Sequence, residues 1–152
     1  MKILVVEDDD NKRHQLVTFL IETYCKSKCT EAKSYQSGLK AIIQERYDIV
    51  FLDMTMPTFD RAPADGGGRI RPFAGRDIFA QIASRKISQQ IIVFTMFEVL
   101  GEGGNQVTAR ELDRQLSRLY PQNYMGLVYY NAASSEWKGR VKELISQIKE
   151  AQ

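Results

Sequence analysis

The chain has 152 residues, 43% of them hydrophobic and 26% charged, a balance that supports one compact core and excludes a long disordered or fibrous chain. Its 21 basic and 19 acidic side chains leave a net charge of +2, which gives no electrostatic reason to expect nucleic acid as a partner. Two cysteines, Cys25 and Cys29, and a single histidine do not supply a tetrahedral zinc site, and both thiols are expected to be reduced and structural.

The first predicted element is a strand over residues 2–6, Lys2-Ile3-Leu4-Val5-Val6. It runs at once into Glu7-Asp8-Asp9-Asp10, too short and too soon acidic for a signal peptide or a spanning helix, so no membrane and a cytoplasmic address are expected. The polar residues Asp9 to Asn11 cap a first helix carrying Leu16, Phe19, Leu20 and Tyr24 at helical spacing. His14, beside Lys12 and Arg13, is read as ordinary helix surface rather than a reactive histidine.

A second strand over 29–33 leads to a second helix over 36–46, with Leu39, Ile42 and Ile43 inward. The third strand, 48–53, ends on Asp53. Residues 58–75 are rich in proline, glycine and arginine and predict a long inserted loop, in which Gly66-Gly67-Gly68 lacks the setting and lysine of a P-loop and is read as a hinge. A third helix over 76–86 buries Ile78, Phe79 and Ile82. After a fourth strand over 91–95, the run Gly101-Glu102-Gly103-Gly104-Asn105 delays a fourth helix near 107–119, enlarging the segment near 97–124. A fifth strand over 125–130 and a last helix with Trp137, Val141, Leu144, Ile145 and Ile148 on one stripe complete the series. Strands alternating with amphipathic helices predict a single α/β domain over 1–152, a three-layer sandwich around a parallel sheet.

In such a sheet, ligands bind beyond the carboxyl ends of the strands where the winding reverses, between the first and third strands of the flavodoxin-like order 2-1-3-4-5. Glu7 and Asp8 follow the first strand and Asp53 ends the third. Two carboxylates about 4 Å apart repel by about 4 kcal/mol at an effective dielectric near 20, so three together call for a cation or a raised pKa. A lone acid at a strand end is ordinarily just solvated, whereas three at the switch point, with Thr95 alongside, point to a hard divalent ion such as Mg²⁺.

Three blocks, Lys2 to Asp9, Asp48-Ile49-Val50-Phe51-Leu52-Asp53-Met54-Thr55-Met56-Pro57 and Ile91-Ile92-Val93-Phe94-Thr95, resemble the response-regulator receiver family in order and approximate spacing. The resemblance implies that Asp53 accepts a phosphoryl group from a histidine kinase or phosphotransfer protein. It further implies that Asp8 and Asp53 bind Mg²⁺ directly, Glu7 through water, and the backbone carbonyl of Thr55 completes the protein ligands, while the Thr95 hydroxyl contacts the phosphoryl oxygens. An aspartate is a weak nucleophile, so such transfer depends on in-line positioning and charge neutralisation.

The chain departs from the family at the fifth strand, where a lysine followed by proline is usual. Gly126-Leu127-Val128-Tyr129-Tyr130-Asn131-Ala132 puts Tyr130 at the lysine position if Gly126 sets the register, or Asn131 with one residue inserted. The family's switching aromatic becomes Leu127 or Val128 accordingly. A substitute cation is sought among Arg61, Arg69, Arg71 and Arg76, since arginine grips phosphate bidentately; the plainer reading makes them solvated or partner-facing surface.

The expected function is a stand-alone receiver in phosphorelay signalling, not an enzyme. Its output is contact with a downstream protein or a second copy through the fourth helix, fifth strand and fifth helix. The main alternative is a phosphorylation-independent, protein-binding pseudo-receiver. A phosphohydrolase of the haloacid-dehalogenase type would need an aspartate at Thr55, and a flavodoxin-like FMN binder would place its phosphate against Glu7-Asp8-Asp9-Asp10, which repels it.

Overall fold

The computed structural model describes residues 1–60, 69–101 and 103–151. Five parallel strands, β1 (Lys2–Val6), β2 (Lys28–Ala32), β3 (Ile49–Leu52), β4 (Ile91–Thr95) and β5 (Tyr124–Tyr129), form one sheet in the order β2-β1-β3-β4-β5. This is the predicted 2-1-3-4-5 winding. The inner strands β3 and β4 are buried at every residue, which explains their continuous apolar runs: parallel strands covered on both faces have no polar side to show. The edge strand β2 is largely exposed.

The helices are α1 (Asp10–Thr23), α2 (Tyr35–Gln44), α3 (Ala74–Ser84), α4 (Ala109–Leu119) and α5 (Glu136–Glu150). One face of the sheet packs Leu4, Val6, Leu52 and Val93 against Ile42, Ile78, Phe79, Ile82, Leu112 and Leu116 of α2, α3 and α4. The other packs Val5, Phe51 and Phe94 against Leu16, Phe19 and Leu20 of α1 and Trp137, Val141, Leu144, Ile145 and Ile148 of α5. No described helix is long and apolar enough to cross a membrane. Cys25 and Cys29 are free thiols.

Several expectations are corrected. Ile43 does not face inward but is 45% exposed, because the buried stripe of α2 runs through Gly38 and Ile42. The segment 58–75 is not loop throughout: Met56–Pro57 pairs antiparallel with Ile70–Arg71, and Thr58 N donates to Arg69 O at 3.3 Å, before α3 starts at Ala74. A second ribbon, Val99–Leu100 with Val107–Thr108, takes the residues expected to open the fourth helix, and Thr108 instead caps it by accepting from Glu111 N. The expected glycine hinge at 66–68 and Arg61 lie outside the described residues.

Candidate functional site

The order of the strands brings the carboxyl ends of β1 and β3 side by side. Asp53 N donates to Val6 O at 3.0 Å, and Glu7 N to Ala32 O at 2.9 Å, so both acids start from backbone fixed to the sheet. Oxygen atoms of Glu7, Asp8 and Asp53 lie within 4.8 Å of one another. Glu7 and Asp53 are 2% and 3% exposed, and Asp8 is half-buried.

Next to Asp53 the backbone is tightly held. Asp53 Oδ1 accepts from Met54 N at 2.8 Å, and Gly75 N donates to Met54 O at 3.0 Å. A side chain at Gly75 would begin 2.5 Å from Asp53 O and 2.3 Å from the Met54 methyl; the first turn of α3 therefore needs glycine for its close approach to the Asp53 loop. Thr55, half-buried, donates its hydroxyl to Pro72 O at 3.1 Å. Thr95 is fully buried at the end of β4, and its Oγ1 accepts from Phe97 N at 3.2 Å.

The side chain that sequence reasoning missed is Lys12. It is 1% exposed, and its Nζ lies 2.5 Å from Glu7 Oε2 and 3.3 Å from Asp53 Oδ1. The ammonium also sits 5.3 Å from the centroid of the Phe94 ring, a contact that favours a desolvated cation. Asp9 caps α1 by accepting from Lys12 N at 2.8 Å, which fixes the turn carrying Lys12. Its neighbour Arg13 is buried too: it donates to Glu7 O at 3.0 Å and to Glu31 at 2.9 Å, and pairs with Asp10. Neither residue is the polar helix surface expected around His14, although His14 itself is exposed. A signal was present: Lys12 precedes Leu16 by four residues and Phe19 by seven, so it lies on the buried stripe of the helix.

Burial, reinforced by the charge of Asp53, pushes Glu7 from its ordinary 4.5 up to about 9, even though Lys12 pulls the other way. Burial raises Asp53 as well, against the pull of Lys12. For Lys12, burial acts downward, but Asp53 and Glu7 outweigh it and hold the ammonium above the ordinary lysine value. Breaking a buried ion pair by removing one partner costs about 3–5 kcal/mol, because the other charge is left uncompensated.

At the fifth strand the two candidate residues, Tyr130 and Asn131, lie in different surroundings. Gly126, at φ 151° and with Leu144 packed 2.9 Å from where a Cβ would stand, follows a register shift opposite Ile91 and Ile92. Tyr130 N then donates to Thr95 O at 2.8 Å, and the ring is buried against Phe94 and Trp137, at centroid distances of 5.3 and 5.4 Å. Asn131 is exposed, with its Oδ1 accepting from Ala133 N. Of the two residues expected at the lysine position, one is thus a buried aromatic ring and the other an exposed amide.

Among the described residues, the candidate arginines downstream of Asp53 are engaged elsewhere or exposed. Arg71 pairs with Asp77 at 2.6 Å and covers the Tyr35 ring, Arg76 covers Phe73, and Arg69 is exposed. A cavity of about 860 Å³ opens between the two ribbons, with Phe73, Arg76, Phe97 and Val107 among its walls. Of the predicted site residues it includes only Thr55, so it lies beside the acids rather than over them.

Residues 3–112 match the response regulator receiver domain. The chain belongs to this family. The receiver is 34% identical over 152 residues to the Detocs response regulatory protein DtcB of Enterobacter cloacae (strain JD6301), covering 99% of each chain. Among solved structures it resembles the response regulator TrrA of Thermotoga maritima, crystallised in complex with Mg²⁺-BeF, with a TM-score of 0.59 and 24% identity over 94% of this chain and 97% of that one. A CheY-like receiver domain protein of Methanospirillum hungatei superposes with a TM-score of 0.64 at 12% identity, covering 99% and 98% of the two chains. These likenesses agree with the five-stranded winding of this receiver.

The donor set fits a divalent cation. Three carboxylates face one ammonium; once all three are ionised they carry an excess of two negative charges, which Mg²⁺ would balance while displacing the proton that burial holds on Glu7. Glu7 Oε2 and Lys12 Nζ are in ionic contact but make no well-directed hydrogen bond among the described residues, so both keep bonding capacity that a bound group could use. Oxygen donors with solvent on the Asp8 side suit an ion that keeps part of its water shell.

Proposed function

We propose that this receiver is a Mg²⁺-dependent phosphoacceptor in two-component phosphorelay signalling, with Asp53 taking the phosphoryl group from a histidine kinase or phosphotransfer protein. The observation that carries the reading is the buried carboxylate of Asp53 at the switch point, grouped with Glu7 and Asp8 and flanked by the neighbouring strand that ends on a buried Thr95. Asp8 and Asp53 would hold the metal directly, Glu7 through water, and the Thr55 carbonyl would complete the protein ligands. When bound, the ion would offset the negative charge that accumulates as the phosphoryl group arrives. Asp53, fixed through Val6 O and Met54 N, supplies the oriented nucleophile, and the Thr95 hydroxyl supplies a hydrogen bond to a phosphoryl oxygen.

Output would pass through protein contacts on α4, β5 and α5, where Leu119 and Tyr129 are 56% and 42% exposed; a downstream protein or a second copy would dock there. Incubation with Mg²⁺ and acetyl phosphate, read by intact mass, tests the acceptor: one phosphoryl increment is expected on the wild type and none on Asp53→Asn. A wild-type chain that stays unmodified and ignores beryllofluoride would sink the reading.

That result would favour a phosphorylation-independent, protein-binding receiver. Tyr130 or Asn131 where the family carries a lysine, and Leu127 or Val128 where it carries a switching aromatic, speak for this second reading.

A further inference from the structure

We propose that Lys12 is the cation that grips the phosphoryl group on Asp53, reaching it from the first helix because the fifth strand contributes none. The inference rests on the reading of Asp53 as phosphoacceptor and names a residue that this reading does not require.

Four observations converge on it. Lys12 Nζ is 3.3 Å from Asp53 Oδ1, so any group bonded to that carboxylate forms within reach of the ammonium. The side chain is buried beside the acids, where a charge interaction is far less screened than at the surface. Among the described residues, the alternative arginines turn to Asp77, Tyr35 and Phe73 or to solvent. Finally, Lys12 stands in the first turn of α1, where the helix dipole disfavours a cation. A local rule broken in this way marks a site where the surroundings, here Glu7 and Asp53, decide the residue.

The step balances without a further reactant. An Asp53 oxygen attacks phosphorus of acetyl phosphate or of a partner's phosphohistidine and forms an O–P bond. The bond from phosphorus to the donor's oxygen or nitrogen breaks, and the electron pair leaves with acetate or imidazole. Asp53 loses its own negative charge to the mixed anhydride, while two arrive on the phosphoryl oxygens. The ammonium, already 2.5 Å from Glu7, needs only to exchange a contact with the carboxylate of Asp53 for one with those oxygens.

The competing role is structural: an ammonium that merely keeps three acids from repelling one another. Lys12→Met, close in shape and neutral, separates the two. Its Mg²⁺ affinity, measured by calorimetry, is expected to rise, because a competing positive charge has gone. Its rate of modification by acetyl phosphate is expected to fall by about tenfold or more. Adding Tyr130→Lys to Lys12→Met, which returns a cation from the fifth strand, is expected to recover part of that rate.

A Lys12→Met protein modified at the wild-type rate overturns the proposal. So does one that loses metal binding and transfer together and is not rescued by Tyr130→Lys, since that is the structural outcome. If Lys12→Met does not fold, the wild type still decides: in ¹⁵N-lysine-labelled protein, the Nζ resonance absent from Lys12→Arg should shift on adding beryllofluoride with Mg²⁺, and an unmoved resonance overturns the assignment. A wild type that binds Mg²⁺ but takes neither acetyl phosphate nor beryllofluoride refutes Asp53 as acceptor, and the role of Lys12 falls with it.

Discussion

Glu7 is an acid held almost out of water beside a second buried acid, and its raised pKa has a consequence for stability. A carboxyl whose folded value, about 9, lies above its ordinary 4.5 stabilises the fold while it keeps its proton. That contribution is fully present below pH 4.5, declines as the unfolded chain ionises and the folded one does not, and is gone once pH has passed about 9. The upward shift of Asp53 acts in the same direction. The thermal midpoint of the metal-free receiver should therefore fall between pH 5 and 9, and saturating Mg²⁺, which favours the ionised carboxylates, should flatten that slope. A midpoint that rises with pH in the absence of metal would contradict the burial of a protonated Glu7. At the same scale, Gly75→Ala should destabilise by about 1–3 kcal/mol and weaken Mg²⁺ binding, because its methyl has to displace the Asp53 backbone; denaturant unfolding together with calorimetry checks both.

At the scale of elements, what was legible in the sequence follows from burial. Strands β1, β3 and β4 are covered on both faces, so their apolar runs could be read directly, and the acids that end them mark the switch point without further help. The ribbons were not legible because strands of two residues are too short for alternation to show. The register of β5 stayed open because it turns on a shift next to Gly126, set by the packing of Leu144 of α5 rather than by any local pattern. Lys12 escaped for a related reason. Residue type and helix position both mark it as solvent-facing, and only the Leu16 and Phe19 stripe, read backwards to the first turn, places it inside. Polar residues on a buried stripe are where binary patterning fails and function begins.

Across the whole molecule, the acids lie at one end of the sheet while the proposed docking face lies along α4, β5 and α5, so the two should be separable by mutation. Leu119→Glu places a charge on that face at a residue 56% exposed. It should leave Mg²⁺ affinity and acetyl phosphate modification unchanged. It should also abolish any beryllofluoride-induced shift towards a dimer seen by sedimentation velocity, since a charge at the centre of an interface costs a large part of its affinity. Loss of modification in this variant would mean that the face and the acids are not independent.

The charged groups gathered at Asp53, namely Glu7, Asp8, Lys12 and Asp53 itself, all come from the first 53 residues. The stretch from Ala109 to Glu150 packs Tyr130 and Trp137 into the core against Phe94 but, among the described residues, brings no charge into contact with Asp53. Inheritance of the two properties is thereby uncoupled. A lineage can rewrite its last two helices and the strand between them to follow a changing partner without altering the ionic balance of the acids, whereas a receiver that keeps its cation on the fifth strand must hold that strand still.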